Sequence, residues 1–273
     1  VDPTLGALTP QIARSVCHRI GPEIAAIMPV APHGVWIDTG AWDSFMRETG
    51  CAVVIDAAAG FDTVTPGMAP TVVSLHATKV LPAGEGGFVA TTDKRILRRV
   101  QQISNFGFDG TRTPLAAATN AKMSEYAAAV ALAAIDDWQQ IRTAFLQVAD
   151  RYQRAFAGDE RVQVPSGLGI HWATSTMTVR VPADTLDDVA AALSAEAIDY
   201  RFWWGDGCHT TPAFARYPRD PLPITKQLAD RTIGLPCFPD MSGEDIKKVA
   251  AVLTRALGRA TSSTVIAGVP AAW

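Results

Sequence analysis

The sequence has little charge, few cysteines and no long apolar run, and each shortage closes off a class of function. Charged residues make up 19% of the 273, and 24 Lys and Arg against 27 Asp and Glu leave a net charge of −3. That balance provides no electrostatic footprint for nucleic acid or for an anionic membrane surface. The longest apolar run, Tyr126 to Ile135 between Glu125 and Asp136, is too short to cross a bilayer and predicts a buried helix segment. No charged segment followed by an apolar one opens the chain, so no secretory signal is visible. The four cysteines, Cys17, Cys51, Cys208 and Cys237, form no C-x-x-C pair. A metal site built from Cys208–His209 and Cys17–His18 would need adjacent side chains to reach one ion, and known zinc spacings are absent. Reduced thiols in a cytoplasmic protein are the expected state.

What is present is 48% hydrophobic, enough for one large domain or two modest ones with real cores. Ala25 to Val30 reads as a strand entering a turn at Pro32–Gly34, and Trp42 to Glu48 as a helix stopped by Gly50. Cys51 to Ile55 is a continuous apolar run ending at Asp56, the pattern of a strand buried on both faces in a parallel sheet. Thr71 to Leu75 and Phe88 to Thr91 are further strands, and Asp93 caps a basic helix through Ile103. Strands alternating with helices predict an α/β fold with a largely parallel sheet. From Ser124 the pattern changes: few breakers to Ala157 predict one long helix linking two domains. Beyond it come a strand (Ser175 to Val181), a helix (Leu186 to Ala195), a short strand around Tyr200 and a Pro-rich stretch from Pro212 to Pro223. A helix (Thr225 to Arg231), a strand (Thr232 to Leu235) and a last helix (Gly243 to Leu257) complete a smaller α+β domain. Ser242 and Asp245 introduce the last helix at capping-box spacing. The expected organisation is a large domain over 1–145, a small C-terminal domain over 146–258 and a tail over 259–273 that frays.

Two places carry chemistry, because in open α/β sheets ligands collect at the carboxyl ends of strands. Asp56 closes one predicted strand, and Ser74-Leu75-His76-Ala77-Thr78-Lys79 closes the next. A carboxylate and an amine converging on one crevice suit pyridoxal phosphate (PLP) chemistry. The carboxylate keeps the pyridinium nitrogen protonated, the amine condenses with the aldehyde and later moves a proton, and a hydroxyl such as that of Ser74 donates to the phosphate. Position alone leaves the bland readings open: a solvated loop lysine, and an Asp that serves as a turn or cap residue.

The whole string Ser74 to Lys79, followed by Gly84-Glu85-Gly86-Gly87-Phe88-Val89, resembles the Ser-Phe-His-x-x-Lys…Gly-Glu-Gly-Gly signature of the DegT/StrS sugar-nucleotide aminotransferases, a family of fold type I PLP enzymes. Val53-Val54-Ile55-Asp56-Ala57-Ala58 is similar to that family's strand bearing the pyridine-binding Asp. Thr119-Asn120-Ala121-Lys122-Met123-Ser124-Glu125 resembles its Gly-x-Asn-x-x-Met-x-Asp/Glu segment, and Leu235-Pro236-Cys237-Phe238-Pro239 its Leu-Pro-x-x-Pro stretch. The resemblance implies Lys79 as the Schiff-base lysine, Asp56 as the pyridinium partner, Ser74 as a phosphate ligand, and Asn120 as a ligand to the phosphate of the neighbouring subunit in a homodimer. It implies transfer of an amino group from glutamate to a nucleotide-linked keto sugar, as in deoxyamino-sugar biosynthesis. A Lys rather than a His at position 79 implies amination rather than dehydration.

Two departures accompany the resemblance. Ala59 stands where the family commonly has a Gln near the cofactor's ring hydroxyl, and it cannot hydrogen-bond. Val1-Asp2-Pro3 resembles a stretch that in the family follows an N-terminal portion bearing a Gly/Thr phosphate loop and an aromatic residue stacked on the ring. The expectation is of a processed or partial chain with weakened phosphate binding and exposed apolar surface. Rival readings are a catalytically silent or regulatory relative, and a split enzyme completed by a separate N-terminal chain. Gly84 to Gly87 is not a dinucleotide fingerprint, since Val89 falls on the third glycine position. Lys94, Arg95, Arg98 and Arg99 read as a solvated helix face. Trp203-Trp204 with Arg201 and His209 suits either a sugar-binding wall or domain packing, and the Asn105 to Phe108 turn has no assigned role.

Overall fold

The computed structural model describes residues 1–21, 24–203 and 205–266. They fall into two compact units: one of residues 7–142 with Asp2, the other of Thr143 onward with Val1 and Pro3–Gly6.

The first unit opens with a helix that the sequence reading passed over, α1 (Pro10–Ile20), although its punctuation is complete. The Thr9 hydroxyl accepts from Ile12 N, Pro10 begins the helix, and Gly21 at φ 78° ends it. A strand β1 (Ala26–Ile27) and helix α2 (Thr39–Thr49) follow, the latter capped by Asp38 and closed by left-handed Gly50. Next come β2 (Ala52–Val53), β3 (Ile55–Asp56), β4 (Thr71–Ser74) and β5 (Gly87–Ala90). β1 runs parallel to β2 and β3 parallel to β4, while β5 returns antiparallel to β4. The break between β2 and β3 at Val54 is nominal, because Val54 N–H still donates to Ile27 O at 3.0 Å.

One face of this sheet is core. Val53, Ile55 and Val73 are buried, as are Trp42 and Phe45 of α2, whose rings meet edge to face at 5.4 Å. Each large side chain so buried contributes on the order of 2 kcal/mol. The other face is open: Val54 is 36% and Val72 39% exposed. The two-faced burial expected for Cys51 to Ile55 is therefore not what the described residues show. An apolar run reveals that both faces of a strand tolerate burial, but not what covers them.

Helix α3 (Lys94–Ser104) starts where Asp93 Oδ1 accepts from Arg95 N. The predicted single helix from Ser124 is two, α4 (Glu125–Asp136) and α5 (Trp138–Phe156), broken at Asp137. The Tyr126–Ile135 run is not a buried segment either. Only Ala127 and Ala131 of α4 are buried, whereas Tyr126 is 82% exposed. Its alanines make it apolar all round, so composition alone could not pick the packed face. Where α4 does pack, Ala131 joins Leu75, Leu81 and Ala83 in a small core flanked by Phe61, Phe88, Met123 and Trp138.

In the second unit, β6 (Met177–Arg180) pairs antiparallel with β7 (Thr232–Leu235). Between them in sequence lie α6 (Leu186–Ala195) and α7 (Pro223–Ala229), and α8 (Gly243–Ile266) follows, with α6 packed on α8. The strand expected around Tyr200 reduces to a single bridge between Arg201 and Gly234. The Ser242–Asp245 capping box forms as read, with Asp245 N–H donating to Ser242 Oγ and Ser242 N–H to Asp245 Oδ2. Tyr152 of α5, fully buried, donates to Pro236 O at 3.0 Å, and Cys237 Sγ donates to Thr174 O at 3.2 Å. These bonds anchor the Leu235–Pro239 motif. The α8 backbone runs past Leu257, where the sequence placed its end. The remainder of the tail expected to fray, 267–273, lies outside the described residues, as does Trp204.

Candidate active site

Asp56 and Ser74 end two adjacent parallel strands, with Asp56 in register with Val72, so both stand at the carboxyl edge of the sheet. Asp56 is gripped from both sides. Its N–H donates to Pro29 O at 2.9 Å, its carbonyl accepts from Ala31 N, and Ala57 N–H donates to Val72 O. Its half-buried carboxylate accepts from Ala58 N–H through Oδ1 at 3.0 Å, leaving Oδ2 without a hydrogen-bond partner among the described residues. The segment beyond it is pinned twice. Phe61 meets Trp138 edge to face at 4.8 Å, and Asp62 accepts from Arg142 Nε at 2.8 and 2.9 Å.

Lys79 sits in the connection between β4 and β5. The antiparallel pairing continues past the strands through Leu75 N to Gly86 O and Ala77 N to Gly84 O, so the Gly84-Glu85-Gly86-Gly87 turn is folded against the Lys79 segment. Buried Leu75, Val80, Leu81 and Ala83 hold the loop on both sides of the lysine. Lys79 itself is half-buried, and its amine has no hydrogen-bond or ion-pair partner among the described residues. Ser74 Oγ accepts from His76 N–H at 3.2 Å, which leaves its own proton free to donate.

The glycines of the turn are spatial requirements. A Cβ on Gly87 would stand 2.6 Å from Val73 O, and one on Gly86 (φ 141°) would meet Met123 Cε at 2.9 Å. Thus the Met of the Asn120–Met123 motif packs into the space that the glycine motif leaves. Gly84, by contrast, needs only its left-handed φ of 79°, with open space around it.

Asn120 stands apart from the other three. It lies on a strip beside the end of α3, bridged to Asn105, and its exposed side chain hydrogen-bonds to none of Asp56, Ser74 or Lys79. Instead its Oδ1 accepts from Lys122 Nζ at 2.6 Å, and that ammonium sits 4.3 Å from the centre of the Phe106 ring. The Asn105–Phe108 turn thus acquires a role as the platform for Lys122. Lys122, His76, Thr78 and Glu85 all lay within or beside quoted motifs. Their contacts run between side chains, which spacing alone does not reveal. Among the described residues no group of three or more His, Cys, Asp or Glu is placed to hold a metal, and no helix is long and apolar enough to cross a membrane.

The fold is that of the type I PLP-dependent aminotransferases. The crystal structure of DesI in the presence of its TDP-sugar product superposes with a TM-score of 0.85 and 29% identity, covering 97% of this chain and 70% of that one. The chain belongs to the DegT/DnrJ/EryC1/StrS aminotransferase family, whose sequence model matches residues 1–254. Among curated relatives, Protein Rv3402c of Mycobacterium tuberculosis is 27% identical over 256 residues, 89% of this chain and 62% of its own length. The erythromycin biosynthesis sensory transduction protein EryC1 of Saccharopolyspora erythraea is 29% identical over 249 residues, 86% of this chain and 67% of its own. The chain therefore spans less than two thirds of the length of the mycobacterial relative.

Proposed function

We propose that this protein is a PLP-dependent aminotransferase that moves an amino group from glutamate to a nucleotide-linked keto sugar. The observation that carries the proposal is the donor set at one sheet edge: among the described residues, a carboxylate with a free oxygen, an unpaired half-buried amine and a hydroxyl with a free proton. These are the partners a pyridinium nitrogen, an aldehyde and a phosphate require. PLP supplies an aromatic ring able to accept the electrons of a substrate carbanion. Asp56 holds the ring nitrogen in its protonated form, and the rigid backbone around it orients the carboxylate in advance. Lys79 would hold the cofactor through its amine, and the same amine would carry the proton at the substrate α-carbon. Ser74 donates to the phosphate, and Asn120 reaches the phosphate in the neighbouring subunit of a cytoplasmic homodimer. The nucleotide sugar as substrate is supported by family membership and by the TDP-sugar product in the DesI structure.

The decisive test is the visible spectrum of the purified protein with added PLP. An absorbance band that disappears in Lys79→Ala, together with borohydride-trapped mass on Lys79, is expected. A band that survives Lys79→Ala refutes the assignment. Glutamate-driven amination across a panel of nucleotide-linked keto sugars then identifies the substrate, and co-expression with an upstream chain tests whether a second polypeptide completes the site. A regulatory role without catalysis is the second reading, favoured by the sensory-transduction name of EryC1 and by Ala59, which cannot hydrogen-bond to the cofactor's ring hydroxyl. No band at saturating PLP, either alone or with an upstream chain co-expressed, would decide for it.

A further inference from the structure

His76 lies inside the motif that leads to Lys79 and has had no role so far. Thr78 N–H donates to its Nδ1 at 3.2 Å, and the Thr78 hydroxyl lies 2.9 Å from the same nitrogen. A backbone N–H can only donate, so Nδ1 is an acceptor, the hydroxyl donates as well, and the ring proton sits on Nε2. Nε2 faces Glu85 Oε1 at 3.5 Å, on the glycine turn that forms the other arm of the loop. The His76 carbonyl accepts from Lys79 N–H at 2.9 Å. One residue therefore binds the amides of both Thr78 and Lys79 and spans the two arms of the loop.

We infer that His76 is a positioning residue for Lys79: it locks the 76–79 turn so that the lysine amine leaves the loop in a single direction. The inference rests on Lys79 being the cofactor amine. Its two side-chain contacts are unequal. The side chains of His76 and Glu85 are 44% and 85% exposed, so water screens that pair. The bonds to Thr78 lie within the turn itself and do the positioning. Capture of the aldehyde forms the Lys79 Nζ–carbon bond and releases the aldehyde oxygen as water. Such a step is fast only when the amine is held in line with the carbonyl carbon. An Asn at position 76 keeps an acceptor for the N–H two residues on, as in an Asx turn, but cannot reach Glu85.

The test compares wild type, His76→Ala and His76→Asn by two measurements. One is amide hydrogen exchange at Thr78 without cofactor, and the other is the rate at which the visible band grows after adding PLP. His76→Ala is expected to speed exchange and slow capture, each by about fivefold, the factor for one lost hydrogen bond. His76→Asn is expected to return both rates close to wild type, a rescue that a general packing role would not produce. If His76→Ala matches wild type in both rates, or His76→Asn is as impaired as His76→Ala, the inference fails. Faster exchange in His76→Ala with no band in any of the three proteins would overturn the cofactor role of Lys79 while bearing out the hold of His76 on the turn.

Discussion

Three glycines in one turn separate two physical reasons for lacking a side chain, and alanine substitutions at each should reveal which reason applies. At Gly84 an alanine meets nothing within 4 Å but must take a φ of 79°, a left-handed conformation that costs about 1 kcal/mol. At Gly87 the φ is ordinary, yet the new Cβ would lie 2.6 Å from Val73 O, where ordinary contact begins at 3.4 Å. A main-chain carbonyl in a strand cannot turn aside, so β4 and β5 must part. Overpacking of this kind costs about 3 kcal/mol, including roughly 1 kcal/mol for each ladder hydrogen bond lengthened. At Gly86 the clash is with the mobile end of Met123. Met123→Ala should therefore recover part of the cost of Gly86→Ala, and the double variant should be more stable than the sum of the two losses. Urea denaturation of the set, with unchanged slopes, measures these differences. A Gly87→Ala protein no less stable than Gly84→Ala would refute the steric account. So would strictly additive behaviour of Gly86→Ala and Met123→Ala.

Arg142→Met should cost roughly 3 kcal/mol, because it removes the guanidinium that pairs with the Asp62 carboxylate, whose side chain is only 8% exposed. Asp62→Asn removes that charge and should cost less, and a reversed order in denaturant midpoints would contradict the pairing. The Ser242 hydroxyl and N–H donate to Asp245 and hold its carboxyl below the usual carboxylate range. A depressed folded pKa gives stability that is present above the unfolded value, about 4, and is lost as pH falls through the folded one. The stability gap between wild type and Asp245→Asn should thus close in acid, and a gap independent of pH would count against the cap. Burial pushes the Cys237 thiol up to about 12, so a disulfide reagent at mildly alkaline pH should label exposed Cys208 first and Cys237 only on unfolding. Prompt labelling of Cys237 in the native protein would show that its burial is wrong.

The sequence by itself determined the local punctuation and the family. Asp93 and the Ser242–Asp245 box cap their helices as read, since a cap involves residues only a few positions apart. The motif strings led to the family because backbone demands such as Gly84 and Gly87 are local and leave a fixed spelling. What the tertiary structure alone decided is which face of an element is covered and which side chains meet. The exposed Val54 and Val72, the mostly open α4 and the break at Asp137 were not legible, because hydrophobic patterning states what can be buried and not what arrives to bury it. The same holds within the site. Met123 fills the space left by Gly86, Lys122 rests on Phe106 while bonding Asn120, and the His76 ring bridges Thr78 and Glu85. Side-chain directions depend on rotamers and neighbours that sequence spacing does not specify, so Lys79 could be proposed from the chain alone, but the groups that hold its loop in place appeared only once the chain was folded.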